Sequence, residues 1–331
     1  MKEIPEEQPI PFDGYCYASG RTALYQILKS IKITTFKVWL PDWLCESMID
    51  AVKKTGLAYA FYPLGKDLRM DVGQFVESNR PISEYDVIIL VNYFGLVDVD
   101  KTIRQLRQYG VESIVIEDDV QALFSFMDDV STADYRFTSL RKTVACPDGG
   151  LVKTRSQMPE VGRENHFAAL KLRGALIKGN ADETTSDESY LELFEAGERE
   201  IDNDYESGMS EVSGSLLAGM DLKETARRRV RNARYVVEEL QKIGIESLLP
   251  LNPRSVPLFV PILINQRDEL RRELRRQAIF CPVHWPLRED MRQLPMGALM
   301  AEKELSLVID QRYGLEDMSS MVEVIKEFVC K

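Results

Sequence analysis

The stretch "YDVIILVNYFGLVDVDKTIRQLRQYGVESIVIEDD", residues 85–119, reads as a strand, a helix and a second strand in one line. Residues 85–95 are an almost unbroken apolar run, the pattern of a strand buried on both faces. "DVDKTIRQLRQYG" (98–110) follows as a helix stopped by Gly110, and "VESIVIEDD" (111–119) is a second buried strand ending in acid. The neighbouring segments repeat the alternation. "RTALYQILKSI" (21–31) places Ala23, Leu24, Ile27, Leu28 and Ile31 on one helical face. "FKVWLP" (36–41) is a strand, "CESMIDAVKKTG" (45–56) a helix closed by Gly56, and "LAYAFYPL" (57–64) and "GGLVKTR" (149–155) are further strands. The expectation is an α/β fold with a mostly parallel central sheet flanked by helices. Such sheets bind ligands at the carboxyl ends of their strands. Asn92, Asp118, Asp119, Gln121 and the Pro41-Asp42-Trp43 turn sit at such ends.

Beyond the sheet, "DLKETARRRVRNARYVVEELQKIG" (221–244) is a long helix. It is followed by "VPLFVPILI" (256–264, strand), "RDELRRELRRQ" (267–277, helix), "AIFCPVHWP" (278–286, strand), "ELSLVI" (304–309, strand) and "EDMSSMVEVIKEFV" (316–329, helix). The chain therefore divides into a large domain, residues 1–220, and a smaller α/β domain, residues 221–331. The acidic, weakly periodic stretch 181–208 reads as a mobile or partly helical connection.

Composition narrows the function classes. With 331 residues, a 44% apolar and 29% charged composition is that of an ordinary globular protein with a large core. The net charge of −11 argues against nucleic-acid binding, which needs a basic face. "RRRVRNAR" (227–234) is a local exception, read as a solvated or salt-bridged helix face. No apolar run approaches the ~20 residues that span a bilayer, and "MKEIPEEQPIPFDG" has no signal-peptide hydrophobic region. Five scattered cysteines without a CxxC pair suggest a reducing, cytoplasmic setting and no structural zinc. Two histidines, His166 and His284, leave no multi-histidine metal site.

Neither GxGxxG nor GxxxxGK[ST] occurs, so no Rossmann or P-loop site is signalled. "ASGRTAL" (18–24) is a small turn opening into a helix, where free N–H groups and the helix dipole suit an anion such as phosphate; a plain N-cap by Ser19 is the alternative. Asp118 can hold a protonated ring nitrogen or cap a helix. Trp43 can stack on a flat cofactor or fill the core. Lys142, in "SLRKTVACPDGG" (139–150), is a solvated lysine or an amine poised for covalent and proton-transfer chemistry.

Phosphate turn, aromatic after a strand, acid after a later strand, then a lysine seven residues before Gly149: that order resembles a fold-type I pyridoxal phosphate enzyme. "SGRTAL", "VWLPDWLCESMIDAV", "VNYFGLVDVDKTIRQL" and "VIEDDVQALFS" together resemble the DegT/StrS-type family of aminotransferases, over nearly the whole chain. The resemblance implies pyridoxal 5'-phosphate as cofactor, with Ser19, Gly20, Arg21 and Ser139 toward its phosphate and Trp43 on its ring. It further implies Asp118 at the pyridine nitrogen, Gln121 beside the ring hydroxyl and Lys142 as the Schiff-base lysine. Many members act on nucleotide-linked keto-sugars, so the implied reaction moves an amino group from glutamate or glutamine to a keto acceptor. A homodimer with shared active sites is implied as well. Asn92, His284 in "CPVHWPLRED" and Arg312 in "IDQRYG" are candidate substrate contacts, with a structural role as the alternative for His284.

Three positions depart from the family pattern. Phe137 stands where a phosphate-binding serine is usual, five residues before the lysine, so the role passes to Ser139. Glu206 stands where an Asn often reaches the neighbouring subunit's phosphate, and would repel it. Arg21 replaces a threonine and can compensate electrostatically. The rival readings are elimination or C–S cleavage on the same fold, to which Cys146 is a pointer, and a non-catalytic sensor or scaffold.

Overall fold

The computed structural model describes residues 12–32, 35–128, 130–162, 165–181, 186–285 and 294–330. Its nine described strands are β1 (Tyr15–Tyr17), β2 (Lys37–Pro41), β3 (Ala58–Tyr62), β4 (Val87–Val91), β5 (Ile114–Asp118), β6 (Tyr135–Ser139), β7 (Gly150–Thr154), β8 (Phe259–Leu263) and β9 (Glu304–Val308). Seven form one sheet in the order β1-β7-β6-β5-β4-β2-β3. β2 through β6 run parallel, and β7 lies antiparallel to both β6 and β1. All five residues of β4 are buried, as its unbroken apolar run requires when helices cover both faces. The helices Gly20–Ile31, Glu46–Thr55 and Val99–Gln108 each turn an apolar stripe to the sheet, and each lies where the sequence pattern puts it.

The chain leaves β2 toward β3 and then crosses to the other side of β2 to make β4. That reversal opens a crevice at the carboxyl edge, where loops after neighbouring strands part. The ends of β1, β2, β4, β5 and β6 all face that edge.

β8 and β9 form a separate antiparallel pair. Leu305 and Leu307 of β9 join Val260, Ile262, Ala233, Val236, Leu270 and Ile325 in a second apolar core. The basic run 227–234 is divided by burial. Arg227 and Arg228 pair with Glu224 on the same helix, whereas Arg229 is buried and donates to the carbonyls of Pro257 and Leu258.

One sequence expectation is corrected, and of the two readings of 181–208 the partly helical one is borne out. Residues 278–285 form no strand: Ala278 has a left-handed φ of 57°, and Pro282 has no N–H to enter a ladder. The rest of "CPVHWPLRED", from Pro286 onward, lies outside the described residues, as does the N-terminal segment 1–11. The acidic stretch 181–208 is built around a regular helix, Asp187–Asn203, capped by Ser186 and packed on the helix Phe167–Gly179. Its periodicity is weak because only Tyr190, Gly197 and Ile201 are buried. At Gly197 a Cβ would come within 2.9 Å of the Lys171 side chain, so the absence of a side chain makes part of the contact.

The closest approach of backbone to backbone falls at Gly150. A Cβ there would lie 2.0 Å from the Ser19 carbonyl oxygen. Gly150→Ala should therefore lower unfolding stability by about 2 kcal/mol or more, because rigid backbone has to move to admit the methyl. Urea unfolding tests this, with Gly162→Ala, which has nothing within 4 Å of its added Cβ, as the control. Equal midpoints for the two variants would show that the approach is not constraining.

Candidate active site

The carboxyl edge holds a cavity of about 420 Å³. Ser19, Gly20, Arg21, Asp118, Gln121, Ser139, Lys142 and His284, drawn from distant parts of the chain, all line it.

The helix Gly20–Ile31 starts at the cavity. Ser19 caps it through Oγ, which accepts from the N–H of Thr22 at 3.1 Å, and the N–H of Ala23 is taken by the Ser19 carbonyl. The remaining first-turn donors, Gly20 and Arg21, have no helical partner and lie at the positive end of the dipole. Gly20 is closely approached: a Cβ would come within 3.2 Å of Ser139 Cβ and Val120 Cγ2, so those side chains would have to shift to admit it. Arg21 adds positive charge. Its Nη1 pairs with Asp202 at 2.5 Å, and its Nε is buried with no partner. Glu206, whose family counterpart reaches a neighbouring subunit, is not on this cavity's wall and is paired with Lys29 at 2.8 Å.

Adjacent strand residues point to opposite faces, and the acidic end of β5 uses this. Asp119 points away from the cavity, accepts from both Arg136 Nε (3.1 Å) and Nη2 (2.8 Å), and takes a further bond from Asn92. Asp118 faces the cavity. Its Oδ1 accepts only from the Val120 N–H, at 2.8 Å. Burial pushes the Asp118 carboxyl up to about 7, against the opposing pull of that N–H, while Glu117 adds to the rise and Lys142 offsets it.

Lys142 is carried on one helical turn, Leu140–Thr143, directly after β6. The Leu140 N–H donates to the Gly149 carbonyl and the Gly149 N–H donates to the Ala18 carbonyl. The glycine pair thus ties the lysine turn to the helix start, which is why it follows the lysine in sequence. Gln121 is held by its Oε1, which accepts from the Phe94 N–H at 3.0 Å.

Three expected site residues are elsewhere. Trp43 is only 1% exposed and does not face the cavity: it stacks on Tyr93 at 4.9 Å, and Leu44 and Cys45 take its expected place on the wall. Its apolar body has more to gain in the core than at a wet rim. It touches the site indirectly, through Trp285 and a 3.2 Å bond from Nε1 to the His284 carbonyl. Asn92 is spent on the backbone N–H of Val97 and on Asp119. Arg312 is paired with Asp310 outside the cavity. Cys146 is also away from it, buried in an apolar cluster with its thiol pushed up to about 12.

Several wall residues gave no local signal in the sequence. Arg141, Glu198 and Ile201 close one side. Burial works against ionisation of Glu198, but Arg141 and Lys171 outweigh it and hold its carboxyl below the ordinary range. Leu258, Phe259, Pro282 and Trp285 come from the segments around the β8–β9 pair. Glu198 and Ile201 follow from the sequence only once 187–203 is recognised as a helix.

No family model matches the chain, and no curated protein does. Solved structures do. A DegT DnrJ EryC1 StrS aminotransferase from Brucella abortus is 19% identical, with a TM-score of 0.69 over 96% of this chain and 86% of that one. Spr1654 from Streptococcus pneumoniae, in a PLP form, is 16% identical, with a TM-score of 0.71 over 97% and 87%. The sugar aminotransferase CalS13 from Micromonospora echinospora is 18% identical, with a TM-score of 0.66 over 95% and 86%. The chain has the fold of these aminotransferases over nearly its whole length.

The burial of Asp118 has a measurable consequence. A carboxyl raised in the folded state stabilises most below its unfolded pKa and loses that contribution as pH rises through the folded one. Without ligand, Asp118→Asn should therefore be more stable than the wild type above pH 7, by on the order of 2–4 kcal/mol. The gap should shrink as pH falls from 7 toward 4. Chemical denaturation across that window checks it; a pH-independent gap would mean that Asp118 is not titrating there.

Proposed function

We propose that this protein is a pyridoxal 5'-phosphate-dependent aminotransferase of the DegT/StrS type. The observation that carries the reading is the meeting of an amine, a carboxylate and an anion seat in one cavity: Lys142, Asp118 and the Gly20 helix start. The unpartnered Arg21 Nε and the tight cradle around Gly20 suit a phosphate monoester. Asp118, with one oxygen left over from its bond to Val120, suits the N–H of a protonated pyridine.

When bound, the cofactor supplies an electron-withdrawing ring that lets a proton leave the α-carbon of an amino donor. The chain's residues do the rest. Gly20 and Arg21, with the Ser139 hydroxyl, hold the phosphate. Asp118 keeps the ring nitrogen protonated. Gln121 would lie beside the ring, and Phe137, Leu258 and Phe259, which line the same cavity, would exclude water. Lys142 Nζ would be the amine that holds the cofactor's aldehyde carbon and, once the donor's amine has displaced it, the base for the α-proton.

The donor in this reading is glutamate or glutamine, and the acceptor is a keto compound, with a nucleotide-linked keto-sugar as the favoured class. The fold likeness to CalS13, a sugar aminotransferase, supports that choice. A cytoplasmic homodimer with shared sites, and a domain division at 220/221, go with it. The separate core beneath β8 and β9 supports the division.

Wild-type protein mixed with pyridoxal phosphate should develop a visible absorption band, and glutamate should shift it. Borohydride should fix the cofactor's mass to the peptide carrying Lys142. Lys142→Ala should lack the band and lose amino transfer by about 10²–10⁴-fold or more. Amino transfer retained by Lys142→Ala would overturn the assigned role.

A further inference from the structure

His284 is the one histidine on the cavity wall, and it is backed by two buried polar side chains that the proposed reaction does not use. Glu304 and Ser306 lie two residues apart on β9, so they share a face, and each is 0% exposed. Ser306 Oγ lies 2.5 Å from Glu304 Oε1 and 2.9 Å from His284 Nδ1. The other carboxylate oxygen, Oε2, accepts from the His284 backbone N–H at 2.8 Å, which anchors the histidine to the carboxylate twice. Nδ1 is thereby committed to Ser306. Nε2 is the ring nitrogen left for the cavity.

We propose that Glu304, Ser306 and His284 form a proton relay, with His284 Nε2 as its cavity end and the buried Glu304 carboxyl as its store. With Glu304 ionised, Ser306 must donate to it and accept from Nδ1–H, so Nε2 carries a lone pair. A proton arriving from the cavity bonds to Nε2. The Nδ1–H bond breaks as Ser306 Oγ gains that proton, and Ser306 passes its own proton to Glu304 Oε1. One proton has entered, the ring is neutral before and after, and Nε2 has changed from acceptor to donor. The proton donor this suits is a primary ammonium, which must shed a proton before its nitrogen can attack a carbonyl carbon. That catalytic consequence rests on the function proposed above; the relay itself does not.

The surrounding groups favour a neutral ring and a carboxyl that changes state near neutrality. Burial, with Lys142 across the cavity, pushes His284 down to about 4. Burial pushes Glu304 up to about 7, although the His284 N–H, the Ser306 hydroxyl and Arg267 all favour its charge. Phe94, Phe259 and Trp285 enclose the ring on its other sides. Asp118 and Glu198 are the remaining acidic groups on the cavity wall, and Arg141 and Arg21 the other basic ones. Cys281, whose thiol burial pushes up to about 11, is the other titratable group near Glu304.

The two-histidine composition makes the test direct. Protein labelled with ¹⁵N-histidine, without added cofactor, gives two ring systems, and His166→Gln removes the other one. The expected result is a neutral His284 with Nε2 unprotonated above pH 7. As pH falls through 7 the proton should move to Nε2, with no cationic signal until near pH 4. Glu304→Gln should abolish the step, while Asp118→Asn should keep it, which separates the relay from the other carboxyl on the wall. Ser306→Ala should uncouple the ring's tautomer from pH. A wild-type tautomer that is the same on both sides of pH 7, or a step that survives Glu304→Gln, would overturn the proposal. Since cofactor is absent, failure here leaves the visible-band test unaffected, and the reverse also holds.

Discussion

The contact on which the rest depends is the passage of Gly149–Gly150 against the Ser19 and Gly20 backbone. β7 begins there, and its first residue lies in register with both Tyr17 of β1 and Ser139 of β6. The glycine pair therefore holds three strand ends at one depth. The start of the helix Gly20–Ile31 follows β1 and the lysine turn follows β6, and backbone hydrogen bonds through Gly149 tie the two together. A side chain at Gly150 would press on the Ser19 and Gly20 backbone, and one at Gly149 on the Leu140 and Met209 side chains.

Charge is partitioned around that frame in a consistent way. Carboxylates that hold the fold are paired: Asp119 with Arg136, and Asp148 with Asn165, Ser210 and Ser213. Of the two carboxyls on the cavity wall, Glu198 is paired with Arg141 and Lys171, whereas Asp118 has only the Val120 N–H and burial drives it toward neutrality. A site in that condition gains most from a cationic or proton-bearing ligand. The same shortage makes Asp118 costly to the empty protein, a common trade at ligand sites.

Strands β4 and β5 were legible because doubly buried strands need unbroken apolar runs, and the helix between them shows a strong amphipathic period. The acidic segment 181–208 was read as a connection because its helix buries so few apolar side chains. "AIFCPVHWP" misled in the opposite sense: it has strand composition, but a left-handed residue and a proline keep it out of the β8–β9 ladder. Trp43 shows the limit for single side chains. Its position after β2 was right, yet a one-residue difference in direction sends the ring into the core and gives the wall to its neighbours.

By itself, the sequence determined the alternation of elements, the sheet's mostly parallel character and the order of the chemically active residues. These follow from local periodicity, capping and turn chemistry, which depend on near neighbours in the chain. Only the tertiary structure decided which polar groups meet. Asp118 and Asp119 are adjacent and chemically identical, but the strand's pleat gives one to the cavity and the other to Arg136. Glu304 and Ser306 are unremarkable in "ELSLV" until β9 is laid beside His284. Proximity across hundreds of residues comes from packing, and packing is the information that no local pattern carries.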